Sequence, residues 1–196
     1  MLRRSTVFSL LGSACRGSAA PAGGFTPPRN FGRFSAEARL AFHAVARALA
    51  EAGFVPDAAG ILRAPGGAAA RVGILACDRD GSAAANRAYF ADYVASGRTL
   101  GRGQLFAYTL PTSVAAECAI ACRLTGPLLY VAEPGGGADA AWRTVRGLIG
   151  DAQADAMVLL AVTPRAARAA AAVPAAGVPP GAPPPPALTR LAGMQD

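Results

Sequence analysis

Three short segments, Arg71–Cys77, Leu128–Val131 and Ala156–Val162, are apolar almost throughout, and they constrain this chain more than any other feature. An alternating pattern would mark a strand with one wet face. An unbroken run of this length marks a strand buried on both faces. Between the runs lie stretches with helical spacing. Ser35 is a helix cap with Glu37 in the first turn, Leu40, Phe42, Val45 and Leu49 form the apolar stripe, and Gly53 is the stop. Further helices are expected at 83–95, from Thr112 or Ser113 with Glu117 in its first turn to about Leu124, and at 138–149. Strands alternating with helices predict an α/β layer fold, its sheet covered on both faces. Residues 54–70 read as a loop, 105–110 as a short apolar segment stopped by Pro111, and 165–172 as a further helix.

The ends differ in character. Residues 1–34 are irregular, with Gly23-Gly24 and Pro27-Pro28 as breakers, although Thr6 to Leu11 has the composition of one strand. From residue 173 proline dominates, and Pro183 to Pro186 are consecutive, so 173–196 is expected to be a disordered tail around a domain at 35–172. Arg3-Arg4 before Val7–Leu11 faintly imitates a leader. The apolar stretch is short and interrupted, no segment reaches the ~20 apolar residues of a membrane span, and a cytoplasmic protein is expected.

Composition narrows the functions. All 19 basic residues are arginine, against 12 acidic ones, for a net charge of +7. They are scattered and not interleaved with aromatics, which argues against a nucleic-acid module. The charge suits an acidic protein partner such as a carrier domain, with Arg98 and Arg102 as contact candidates. Cys118 and Cys122 share a helix face, and the single histidine, His43, lies on another segment. The four cysteines therefore read as small buried hydrophobes, and no metal or cofactor is expected. No Ser-His-Asp set or paired carboxylates stand out.

Several segments carry a family resemblance. Arg71-Val72-Gly73-Ile74-Leu75 opens the match. It continues through Gly81-Ser82, Asn86, Tyr89-Phe90 and Gly97, then Phe106-Ala107-Tyr108-Thr109-Leu110-Pro111, then the helix and turn from Ala116 to Gly126-Pro127. With the helix from Ser35 to Gly53, their order and spacing resemble the N-terminal half of β-ketoacyl synthases in the thiolase-like superfamily. The resemblance implies a mixed sheet covered by helices.

It also implies a loss. In those enzymes the strand after Gly-Pro runs into a turn carrying a nucleophilic cysteine. Here the turn reads Glu133-Pro134-Gly135-Gly136-Gly137, and Gly135 stands at the cysteine's place. Glu133 is two positions early and reads as an exposed turn carboxylate. The glycine run lacks the lysine and spacing of a phosphate loop. The histidines that the family draws from its C-terminal half have no counterpart, and the completing half-fold is not expected in this chain.

The expectation is a non-catalytic synthase-like protein paired with an active ketosynthase in fatty-acid or polyketide (aryl-polyene-like) synthesis. Leu128, Leu129, Tyr130 and Val131 would lie at an edge-to-edge seam, and an apolar face would be left open. The alternative is a module that binds acyl-carrier protein or acyl chains.

Overall fold

The computed structural model describes residues 7–15, 23–78, 81–99, 101–132, 137–163 and 166–175. A five-stranded mixed sheet runs through it. Its strands are β1 (Val7–Cys15), β4 (Val72–Asp78), β5 (Leu128–Ala132), β6 (Ala156–Thr163) and β7 (Ala166–Ala175), in the order β1-β7-β6-β4-β5. The three apolar runs are β4, β5 and β6, mutually parallel, with Ile74 level with Leu128 on one side and Val158 on the other. β7 turns back antiparallel to β6, and β1 closes that edge antiparallel to β7.

Helix α1 (Ala36–Glu51) lies over β6, β7 and β1. The Ser35 side chain accepts from the Ala38 N–H at 3.1 Å, so the expected cap forms. At the other end Gly53 has φ +80°. Its N–H reaches the Ala50 carbonyl and the Phe54 N–H reaches that of Leu49, both at 2.9 Å. This is a Schellman stop, and the buried Leu49 and Phe54 supply its hydrophobic contact. Phe42, Val45 and Leu49 are fully buried, each contributing about 1.5–3 kcal/mol of transfer free energy. Helix α4 (Ser113–Ala121) packs beside α1 over β4. Helix α5 (Gly137–Gly150) covers the other face, where Trp142, Val145 and Ile149 meet Leu75, Met157 and Leu159. Helices α2 (Ala83–Ala95) and α3 (Gly103–Ala107) form an arm that buries no residue of its own.

Two expectations need correction. The segment expected as a helix at 165–172 is strand β7. Ala167, Ala169 and Ala171 face α1 while Ala170 and Ala172 face the α5 side, and two flanking strands supply the ladder that overrides alanine's helix propensity. The short apolar segment at 105–110, which carried no assigned element, contains the end of α3 and a turn. Within the expected loop 54–70, β2 (Val55–Pro56) pairs with β3 (Leu62–Arg63). There the Asp57 carboxylate accepts from the Ile61 N–H and from Arg63 at 2.8 Å each. Residues 176–196 of the proline-rich tail lie outside the described residues, whereas β7 extends to Ala175.

Candidate functional site

Because β4, β5 and β6 are parallel, their carboxyl ends share one end of the sheet, where ligands gather in open α/β folds. A cavity of about 240 Å³ sits there on the α1 side. Ala76, Leu160 and Val162 form its floor, while Ala85 of α2, Leu105 of α3 and Pro111 of the following turn close over it. Gly135 and Glu133, at and near the family's nucleophile position, lie outside the described residues.

At the cavity rim, one buried hydroxyl ties three segments together. Tyr108 Oη donates to Glu117 Oε2 at 2.7 Å and accepts from the Ser35 N–H at 2.9 Å. Glu117 was expected to support its own helix start. Instead it serves the tyrosine, and Thr112 at the N-cap makes no side-chain capping bond. Burial pushes the Tyr108 hydroxyl up to about 12, and the bond to Glu117 adds to this. Burial also raises the Glu117 carboxyl, against the pull of the Tyr108 hydroxyl.

Both groups thus hold protons more tightly when folded. The stability Tyr108 contributes is complete below pH 10.0 and is lost as pH rises through about 12. The Glu117 contribution is complete below its usual value of 4.5 and declines as pH rises through the raised value. Tyr108→Phe is expected to cost about 1–3 kcal/mol near neutral pH, where it strands an ionised Glu117. The loss should shrink towards about pH 4 as Glu117 protonates. Urea unfolding at both pH values checks this, and an equal loss at both would contradict it.

β5 is the sheet edge opposite β1, with β4 as its only neighbouring strand among the described residues. Leu128 is 37% exposed, and Tyr130 packs towards the α1 and α4 side. Leu129 and Val131 pack towards α5. The strand has no charge, proline or glycine, the usual means of blunting an edge.

The remaining candidates separate. Arg102 makes a 3.2 Å ion pair with Asp92 and is 75% exposed. Arg98 sits on the turn after α2 with φ +62°. Neither lines the cavity. Cys118 and Cys122 are buried on α4, and desolvation raises both thiols, Cys122 to about 12, so they are inert packing groups. His43 stands edge-on to Phe31 and Phe42, its pKa lowered by burial, and does not line the cavity. Among the described residues no cluster of histidine, cysteine or carboxylate could hold a metal, and no helix is long and apolar enough to cross a membrane.

Both faces of the sheet are lined by buried clusters. Among the described residues, large open apolar side chains lie on the arm and the segment after it, with Phe90, Val94, Phe106 and Leu110 all more than two-fifths exposed, on α4 at Ile120, at Val55 and Ile61 around β2 and β3, and on the edge strand at Leu128. Ala170 and Ala172 of β7 and the ring of Trp142 on α5 belong to the cluster on the α5 side of the sheet.

Comparison with solved structures places this architecture. The ishigamide ketosynthase/chain length factor superposes with a TM-score of 0.53 at 17% identity, over 78% of this chain and 48% of that one. The chain has a ketosynthase-like fold. The ketosynthase ApeO in complex with its chain length factor ApeC, from Xenorhabdus doucetiae, gives a TM-score of 0.53 at 12% identity, over 88% of this chain and 80% of that one. The chain thus spans about half the length of the first of these structures. No protein-family model and no curated protein matches it. At these identities the likeness is one of fold, a mixed α/β sheet covered by helices.

The cavity and the Tyr108 clamp were not identified from the sequence. The cavity draws on five separated segments, and no local pattern in any one of them marks it. Tyr108 does stand inside the Phe-x-Tyr-Thr-Leu-Pro motif, and a tyrosine there, nine residues before a glutamate, was the available signal.

Proposed function

We propose that this chain is a non-catalytic β-ketoacyl synthase-like subunit that pairs with an active ketosynthase in fatty-acid or polyketide synthesis of the aryl-polyene kind. The observation that carries the reading is the bare edge of β5 in a fold shared with ketosynthase and chain length factor structures. Such an edge leaves half a hydrogen-bond ladder unused, and a partner strand can complete it. In this reading Leu128, Leu129, Tyr130 and Val131 form the seam. One strand is too small for a stable interface, which buries about 1,600 Å². The exposed Leu110 adds apolar area near it, since Gly81 at the foot of the arm lies close to both the Tyr130 hydroxyl and Pro111. Gly135 at the nucleophile position offers no thiol, so the partner performs the condensation.

The test is affinity purification of the tagged chain from its own host, followed by quantitative mass spectrometry. A ketosynthase recovered at near-equal stoichiometry is the expected result. An acyl-carrier protein recovered without a ketosynthase would overturn the reading in favour of a carrier-binding module. A bare monomer would overturn it outright.

A further inference from the structure

Helix α2 presents two different faces. Ala84, Ala85 and Ala88 line the cavity over the sheet. Phe90 and Val94, one turn apart, lie on the side away from them, because positions two apart on a helix, such as 88 and 90, diverge by about 200°. Phe90 is 62% exposed and Val94 43%, and α2 as a whole buries no residue. The stripe continues in both directions with charge. Arg87 stands three positions before Phe90, and Arg98 follows four after Val94 in the turn that closes the helix, its N–H on the Tyr93 carbonyl at 3.0 Å. Both arginines are exposed. The acidic residue of α2, Asp92, is also two positions from Phe90, and Arg102 holds it at 3.2 Å.

Large apolar side chains bracketed by arginine on the outer face of a helix match the chemistry of an anionic lipid surface. There the apolar groups sink towards the acyl chains, while the guanidinium groups stay level with the headgroup phosphates. A protein interface asks for something else, a centre depleted of charge, packed to one partner's shape, within about 1,600 Å² of buried surface. Phe106, 56% exposed with its ring edge on Tyr89 at 5.6 Å, carries the apolar surface from α2 across to α3. The chain's net charge of +7 would steer it towards such a surface.

We infer that the arm is a peripheral contact for an anionic lipid surface, with Phe90 and Val94 entering the interface and Arg87 and Arg98 on the lipid phosphates. The inference stands apart from the pairing reading: a chain that captures no ketosynthase but binds anionic vesicles upholds it.

Sedimentation of the full chain with vesicles of phosphatidylcholine, alone or with about one-third phosphatidylglycerol, tests this. Binding to the anionic vesicles is expected to be at least about tenfold tighter, a preference that fades as salt rises. Arg87→Gln combined with Arg98→Gln should remove about twenty-five-fold of the affinity, since each arginine near such a surface is worth about fivefold. Phe90→Ser combined with Val94→Ser should weaken binding at least about tenfold while leaving the far-ultraviolet circular dichroism unchanged, because both side chains are exposed. Equal sedimentation with both kinds of vesicle, binding indifferent to either pair of substitutions, or no sedimentation would each overturn the assignment. Capture of an acidic protein through Phe90, without vesicle binding, would give this face to a protein partner instead.

Discussion

Replacing Gly126 with alanine should destabilise the chain by about 3 kcal/mol and lower its melting temperature by roughly 6–12 °C. A Cβ at this position would stand 2.6 Å from the backbone nitrogen of Gly73 and 2.8 Å from the carbonyl carbon of Val72. Both are backbone atoms inside β4, so neither can swing aside. The same stretch carries two hydrogen bonds that start the β4–β5 pairing, from the Gly126 N–H to the Val72 carbonyl at 2.9 Å and from the Ile74 N–H to the Pro127 carbonyl at 2.8 Å. Relieving the clash breaks them. Gly73 is constrained likewise, by the Met157 sulfur and the Pro127 carbonyl. Gly147 is the control. It lies within α5 with nothing near its Cβ position, so Gly147→Ala should stabilise by about 0.5–1 kcal/mol. Thermal melts followed by circular dichroism read both, and a Gly126→Ala melt within a degree or two of the parent would refute the close-approach argument.

Leu128→Lys is expected to weaken association with a ketosynthase partner at least about a hundredfold without harming the isolated fold. Leu128 opens the edge strand and is already 37% exposed, so in the free chain a lysine lays its stem along the surface and keeps its ammonium in water. At a seam the same ammonium would be buried without a counter-charge, and a hundredfold corresponds to about 2.7 kcal/mol of that penalty. This is the device by which natural edges prevent pairing. Surface plasmon resonance against the co-purified ketosynthase, beside a melt of the free variant, separates the two effects. Unchanged affinity would remove β5 from the interface.

Much of the sheet was legible because β4, β5 and β6 are almost unbroken apolar runs, although only β4 and β6 are buried and β5, at the edge, is partly exposed. Helix α1 was legible at both ends, since Ser35 and Gly53 act by local chemistry that no distant contact alters. β7 was not legible. Alternation reveals a strand only when its two faces differ, and here both faces need the smallest side chain, so Ala167 to Ala172 reads as helix. The edge at Leu128–Val131 was placed from the family resemblance, and nothing in the residues themselves says which strand is outermost. Gly126 read as a breaker, whereas its close contact with Gly73 comes from sheet pairing across 53 positions. The clamp was hidden for a related reason. Ser35 suffices as a cap and Glu117 as a first-turn carboxylate, so neither points to Tyr108 until the fold brings the three together.

The pairing of β1 with β7 joins Val7 to Ala175, nearly opposite ends of the described chain. During synthesis β1 leaves the ribosome long before β7, its antiparallel partner. At ~5–20 residues per second the first strand waits on the order of ten seconds or more. Helix α1, which lies across both strands, must likewise wait with part of its apolar face open. The sheet is therefore finished last at its β1 edge, and a nascent chain stalled before β7 would present β6 as a bare, strongly apolar edge suited to chaperone capture.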